Sequence, residues 1–223
     1  MNSVISGIGM TSQRTRERML VRLREQGIKD EVTLAAMGAV ARHIFVDEAL
    51  SSRAYEDVAL PIGYGQTISQ PYIVARMTEL VRAGKPLERV LEIGTGCGYQ
   101  AAVLSHVFAD VVSIERVRWL HELAKTHIRP FRLPNLRLVF GDGSVGVAAG
   151  APYDGMISAA AGEGIAEEWC RQLQVGGRLV APVKSATSDA QSLHVVDRVA
   201  EDDWCLTVMD SVRFVPLRAG TSR

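Results

Sequence analysis

Residues 89–100, Arg-Val-Leu-Glu-Ile-Gly-Thr-Gly-Cys-Gly-Tyr-Gln, constrain the fold of this chain more than any other stretch. Val90, Leu91 and Ile93 make the short apolar run of a buried strand, and three glycines follow at alternate positions. Gly94, Gly96 and Gly98 permit a sharp turn and let a ligand approach the backbone without meeting a side chain. Apolar residues then return near helical spacing over 99–108. A strand, a glycine turn and a helix N-terminus in that order form a nucleotide-type pocket.

The spacing narrows the ligand. A dinucleotide fingerprint places glycines at relative positions one, three and six, with the helix dipole aimed at a pyrophosphate. Here they fall at one, three and five, and Tyr99 holds the sixth position. With Glu92 two places before the first glycine, the segment resembles the first motif of S-adenosylmethionine-dependent methyltransferases. That cofactor carries no phosphate, so the resemblance implies a loop shaped for its amino-acid end and ribose, with no anion cradle.

A chain of 223 residues suits one α/β domain with modest additions. The expected division is a flexible start over 1–13, a helical extension with an active-site loop over 14–82, and a cofactor-binding core over 83–223. Lys+Arg and Asp+Glu both number 25, and this balance argues against a broad nucleic-acid footprint. Cys97, Cys170 and Cys205 form no CxxC pair, which suits a reducing compartment and gives no metal or disulfide framework. No apolar run approaches the roughly 18–20 residues of a membrane span. The first eleven residues lack the basic start and apolar centre of a secretion signal. A cytoplasmic monomer is the expectation, with neither membrane nor nucleic acid as a partner.

Along the chain, amphipathic patterns predict helices over 15–26 and 30–40, with Met19, Leu20, Leu23 and Leu34, Met37, Val40 as their apolar stripes. Residues 54–72 read as a loop punctuated by Pro61, Gly63, Gly65 and Pro71. A helix is predicted from Pro71 to Val81, and Ser69 just before it reads locally as a cap. Strands follow at 111–115, 136–140, 153–158, 177–183, 192–199 and 204–214, with helices at 119–128 and 168–173 between them. This alternation, closed by two adjacent strands, predicts a doubly wound, mostly parallel sheet with an antiparallel end. Its ligand edge would gather Gly94, Glu115, Asp142 and Ser158. Glu115 ends its strand where a carboxylate can accept both ribose hydroxyls; an ion pair with Arg116 or Arg118 is the plainer alternative. The five histidines show no metal-ligand spacing.

Several further segments carry a more specific likeness. Phe45-Val-Asp47, Leu60-Pro-Ile-Gly-Tyr-Gly-Gln-Thr-Ile-Ser-Gln-Pro71 and Val90-Leu-Glu-Ile-Gly-Thr-Gly-Cys-Gly-Tyr99 closely resemble the protein-L-isoaspartate O-methyltransferase family. The likeness continues through Ser113-Ile-Glu-Arg116, Gly141-Asp-Gly143, Ala151-Pro-Tyr-Asp154, Gly176-Gly-Arg-Leu-Val180 and Val212-Arg-Phe-Val-Pro-Leu217. It spans about positions 14–217, and the Gln66–Pro71 stretch discriminates, since other methyltransferases share only the glycine loop.

The resemblance implies a seven-stranded methyltransferase sheet and methyl transfer from S-adenosylmethionine to the α-carboxylate of L-isoaspartyl, and more weakly D-aspartyl, residues in damaged proteins. The ester would close to a succinimide whose hydrolysis returns some normal aspartate. It implies Ser69 as the active-site serine. It implies Thr67, Ile68, Glu92, Gly94, Thr95, Gly96, Gly98, Glu115, Asp142 and Gly143 around the cofactor, with Asp142 at the adenine edge. Ser69, Ala160, Arg213 and Phe214 would face the peptide. Carboxylic acids titrate near pH ~4, so the nucleophile is ionised at neutral pH and needs no strong base. The chain departs from the family's usual pattern at Ala41, Ser158 and Ala166; the last bears on the shape of the peptide-side loop. A small-metabolite methyltransferase, a binding protein without turnover and a dehydrogenase are the competing readings. The first has no reason to keep the Gln66–Pro71 stretch, and Tyr99 disfavours the last.

Overall fold

The computed structural model describes residues 7–222. Of the stretch expected to be flexible, residues 1–6 lie outside the described part, and Gly9–Thr11 forms one 3-10 turn. Helices α1 (Gln13–Glu25) and α2 (Glu31–Ala39) follow. Asp30 caps α2 by accepting the Thr33 amide at 3.1 Å. Their buried stripes, Met19 and Leu23 on one and Leu34 and Met37 on the other, share a core with Tyr99, Ala101 and Ala102. Phe45 sits edge-on to Tyr99 at 5.5 Å. The N-terminal helices therefore pack behind the glycine-loop helix, and their residues do not line the cleft described below.

Residues 60–68, read from sequence as loop, are a β-hairpin. β1 (Leu60–Gly63) pairs antiparallel with β2 (Gln66–Ile68), Leu60 opposite Ile68. Tyr64 and Gly65 turn it with φ of 52° and 68°, the left-handed pair that a two-residue turn between twisted strands requires. Tyrosine seldom takes that conformation, so the turn carries no sequence signal. The Tyr64 ring instead rests on Trp119, 5.3 Å between centroids, which holds the hairpin tip against a later helix. Helix α3 (Pro71–Arg82) begins with proline in its first turn, where no amide donor is missed.

Seven strands make the central sheet. β3 (Arg89–Ile93), β4 (Asp110–Glu115), β5 (Leu136–Phe140), β6 (Tyr153–Ser158) and β7 (Leu173–Lys184) are parallel; β8 (Gln191–Ala200) and β9 (Asp203–Val212) close one side antiparallel. The order is β5-β4-β3-β6-β7-β8-β9. The mostly parallel seven-stranded sheet expected from the alternation is thus the observed one. Helices α4 (Tyr99–Ser105), α5 (Arg118–Ile128) and α6 (Glu167–Gln172) complete the fold. Leu91 and Ile93 enter one apolar cluster and Val90 another, as alternate residues of a strand covered on both faces must. Boundaries shift modestly: β7 starts at Leu173, and β9 ends at Val212, so Arg213 and Phe214 lie beyond it.

The order places β4 and β6 on opposite sides of β3. Connections leave that strand in opposite directions, and a crevice opens beyond its carboxyl end. The glycine loop sits there. Among the described residues, no helix is long and apolar enough to cross a membrane.

Candidate active site

Consecutive residues of β4 hold consecutive residues of the glycine loop. The amides of Gly94 and Thr95 donate to the Ile114 carbonyl at 2.9 and 3.2 Å. The Gly96 amide donates to Glu115 Oε2 at 2.8 Å, and the Val117 amide to Glu115 Oε1 at 2.8 Å. Gly94 has φ 93°, and a Cβ there would sit 3.4 Å from that of Ala159. Gly98, the N-cap of α4, has φ 92°, and its Cβ would come within 2.8 Å of Ile128 Cδ1. Side chains at either position would strain the loop or push its neighbours.

Below the loop lies Glu92, fully buried and opposite Ser113 in the parallel ladder. Ser113 Oγ donates to Glu92 Oε2, and the Gln100 amide lies beside the same carboxyl. Burial pushes the Glu92 carboxyl up to about 8, against the opposing pull of the Ser113 hydrogen bond. Its folded value lies above the unfolded one, so the native state holds the extra proton between about pH 4.5 and 8. The resulting stability is complete below that window and is lost as pH rises through it. Wild-type Tm should therefore fall between pH 5.5 and 8.5 more steeply than that of Glu92→Gln. Parallel melting curves across that range would refute the assignment.

An open cleft of about 880 Å³ spreads over the loop. Of the cofactor residues expected from sequence, Thr67, Ile68, Gly94, Thr95, Gly96, Glu115 and Gly143 line it, as does Ala160; Glu92, Gly98 and Asp142 do not. Glu92 and Gly98 support the loop from behind. Asp142 is turned to the C-terminal tail: Oδ1 accepts Ser144 N and Oγ at 2.9 and 2.7 Å, and Oδ2 accepts Gly220 N at 2.6 Å. Burial pushes its pKa up, but these hydrogen bonds outweigh burial and leave it below the ordinary carboxylate value. Ser158, expected on the ligand edge, is buried and donates to the Ala160 carbonyl at 2.8 Å.

Two segments cover the cleft. The hairpin contributes residues 66–69 from one side, and the tail contributes 215–218 from the other. The tail is tied down by Leu217 N to Ala161 O at 2.7 Å, Ser222 N to Arg116 O at 2.8 Å, and Arg116 Nε to Gly220 O at 2.8 Å. Sequence reading missed this strap as a cleft wall beyond Pro216. It also missed Val117 and Leu120, an apolar pair one helical turn apart beside Glu115, whose spacing was the available signal.

A second cavity of about 340 Å³ adjoins the first and is lined by Arg213 and Phe214. Thr67, Ser69, Ala159 and Val215 line both. Ser69 therefore stands at their junction. Its hydroxyl makes no hydrogen bond to the described residues, and α3 is N-capped by Gln70 without a side-chain bond, so Ser69 is not the cap that local sequence suggests. Gln191 fixes the tail here, accepting Phe214 N at 2.6 Å and donating to Phe214 O at 3.0 Å.

The lining fits S-adenosylmethionine. The Glu115 oxygens each keep a lone pair for hydroxyl donors after accepting the backbone amides. Gln100 lines the cleft with its amide beside the buried Glu92 carboxyl, and an amide nitrogen with two hydrogens can serve that carboxyl and still offer one to a ligand carboxylate. The Cys97 thiol on the same wall is pushed up to about 11 by burial and stays neutral.

Comparison with known proteins agrees. The family model described as protein-L-isoaspartate(D-aspartate) O-methyltransferase (PCMT) matches residues 14–222. The chain is 57% identical over 224 residues to the protein-L-isoaspartate O-methyltransferase of Methylobacillus flagellatus, covering 99% of each. To that of Burkholderia vietnamiensis it is 56% identical over 211 residues, covering 95% of this chain and 68% of the relative. A solved protein-L-isoaspartate O-methyltransferase superposes with TM-score 0.82 at 30% identity, covering 90% of this chain and 65% of that one. A Plasmodium falciparum structure of the PCMT kind, solved with S-adenosyl-L-homocysteine, shares the fold with TM-score 0.76 at 20% identity, over 91% and 98% of the two chains. With residues 14–222 matched by the family model and 57% identity over 99% of the chain, the chain belongs to the protein-L-isoaspartate (D-aspartate) O-methyltransferase family.

Proposed function

We propose that the two adjoining cavities hold the two reactants: S-adenosylmethionine over the glycine loop, and an L-isoaspartyl or D-aspartyl residue of a damaged protein beside Arg213 and Phe214. The activity is transfer of the methyl group to the free carboxylate of that residue, which initiates repair through a succinimide. The observation that carries this reading is the junction at Ser69, whose wall belongs to both cavities.

Bound S-adenosylmethionine supplies a methyl group already activated on a sulfonium. The chain's own residues supply alignment. Glu115 accepts from the ribose hydroxyls while holding Gly96 in place. Gln100 donates toward the carboxylate of the amino-acid end. Thr67 and Ile68 close the cleft from the hairpin side, and the tail from 215 onward closes the other, which excludes water from the nucleophile. The Ser69 hydroxyl donates to the substrate carboxylate, turning one oxygen toward the methyl without competing as a base. Asp142 meets the adenine edge with the lone pair left on Oδ2 beside Gly220, Ser144 taking up Oδ1. Arg213, exposed at the rim of the second cavity, faces the peptide. The three cysteines are free, in keeping with a cytoplasmic location.

Two synthetic peptides that differ only in Asp or isoAsp at one position test the reading. With labelled S-adenosylmethionine, base-labile label should appear on the isoAsp peptide alone. Label on neither, with cofactor still bound, would move the acceptor to another class of molecule.

A further inference from the structure

The glycine loop has one side-chain tether that the cofactor contacts do not explain. Thr95 is the single hydroxyl-bearing residue of the loop, and it lines the cleft. Its Oγ1 lies 2.6 Å from Ser113 Oγ. The same Ser113 hydroxyl donates to Glu92 Oε2, and all three side chains are at least 96% buried. A hydroxyl donates only once. Where Ser113 donates to Glu92, Thr95 donates to Ser113 in turn, and its two lone pairs are what it can offer to other groups. Register creates this arrangement: Glu92 and Ser113 are Cα partners in the ladder, and Ser113 and Glu115 project on the same face of β4.

We propose that Ser113 is a positioning residue for cofactor binding, its hydroxyl fixing the rotamer of Thr95. Neither Ser113 nor Glu92 lines the cleft, and the cleft residue that Ser113 bonds directly is Thr95. A backbone held only by the Ile114 carbonyl and Glu115 would still trace the loop, but Thr95 would rotate among its rotamers. A buried chain of hydrogen bonds restricts the rotamers of its members, and removing its middle member releases both ends. The inference rests on the reading of this cleft as the S-adenosylmethionine site, which titration of the wild type tests separately.

The experiment is a double-mutant cycle in cofactor affinity, read by titration calorimetry with S-adenosylmethionine on the full chain, with kcat and KM measured alongside. Ser113→Ala should raise Kd about tenfold, the scale of one lost buried hydrogen bond with its freed partner. At saturating cofactor, kcat should stay within about twofold, because the orientation term is absorbed in binding. Thr95→Val should lose a similar amount, and the double variant no more than either single one. Ser113→Thr, which keeps the hydroxyl, should recover most of the affinity. Additive losses would overturn the proposal, as would unchanged binding in Ser113→Ala or a fall in kcat without a change in Kd. Should Ser113→Ala fail to fold, Thr95→Ser against Thr95→Val carries the decision: equal affinities for those two would overturn it. A wild type that does not bind S-adenosylmethionine would instead remove the reading beneath it.

Discussion

Glu115→Ala should weaken S-adenosylmethionine binding by about a hundredfold, the scale of two lost hydrogen bonds to a charged acceptor. Two losses combine in that figure. Each carboxylate oxygen holds a backbone amide, Gly96 at one and Val117 at the other, both at 2.8 Å. Removing the carboxylate leaves both amides without an acceptor in a poorly hydrated crevice. It also removes the acceptor assigned to the ribose hydroxyls, which no neighbouring side chain replaces: Arg116 beside it is a donor only. Glu115→Gln keeps the shape and one good acceptor, so its Kd should fall between wild type and alanine. Titration calorimetry reads both, and thermal melting checks that the sheet survives. An alanine variant that binds within about threefold of wild type would show that Glu115 holds only the loop, with the ribose elsewhere.

The glycine-loop side of the cleft was readable because its demands are local. A loop that turns at three left-handed positions needs glycine at each, and Gly94, Gly96 and Gly98 have φ of 93°, 55° and 92°. An acid at the end of the next parallel strand has one place to point, and Glu115 points there. The parallel sheet was readable for a similar reason, since β3 and β4 are buried on both faces and therefore written as nearly continuous apolar runs.

What stayed hidden depends on contacts distant in sequence. Glu92 looks like a ligand residue from its place in the motif, yet its partner Ser113 is 21 residues away and set by strand register. Asp142 reads as an adenine contact, and its further bond to Gly220, 78 residues on, has no local signal. The hairpin over 60–68 was masked by Pro61 and by a turn at Tyr64, a residue that takes left-handed backbone here with its ring laid on Trp119. The stripes of α1 and α2 announce helices but not which surface they cover, because apolar faces are interchangeable in sequence. Ser69, which the family likeness singles out, shows the limit of local reading alone. A serine two residues before a helical proline reads as a cap, and only the tertiary fold leaves its hydroxyl unbonded between two cavities.

That placement sets the second large effect. Ser69→Ala should bind S-adenosylmethionine within about twofold of wild type and lose about two orders of magnitude in kcat on an isoaspartyl peptide, the scale seen when one oriented donor is removed from a reacting oxygen. The cofactor affinity survives because the cleft retains the glycine loop, Glu115 and the apolar wall of Val117 and Leu120. The rate falls because a carboxylate is a good nucleophile only along the line from oxygen through methyl to sulfur, and a free carboxylate rotates off that line. Ser69 suits the task better than a histidine or a lysine would. Its hydroxyl is neutral, so it orients the anion without lowering its charge as strongly as a cation would. Among the described residues it also has no hydrogen-bond partner to give up before it bonds the substrate. KM for the peptide should rise by less than kcat falls, since a contact that matters most during transfer is lost mainly from the transition state. Steady-state kinetics on the isoAsp peptide, with cofactor Kd measured on the same preparation, separates these quantities. Equal turnover by the alanine variant would remove Ser69 from the chemistry and return the task of orientation to backbone donors of the tail.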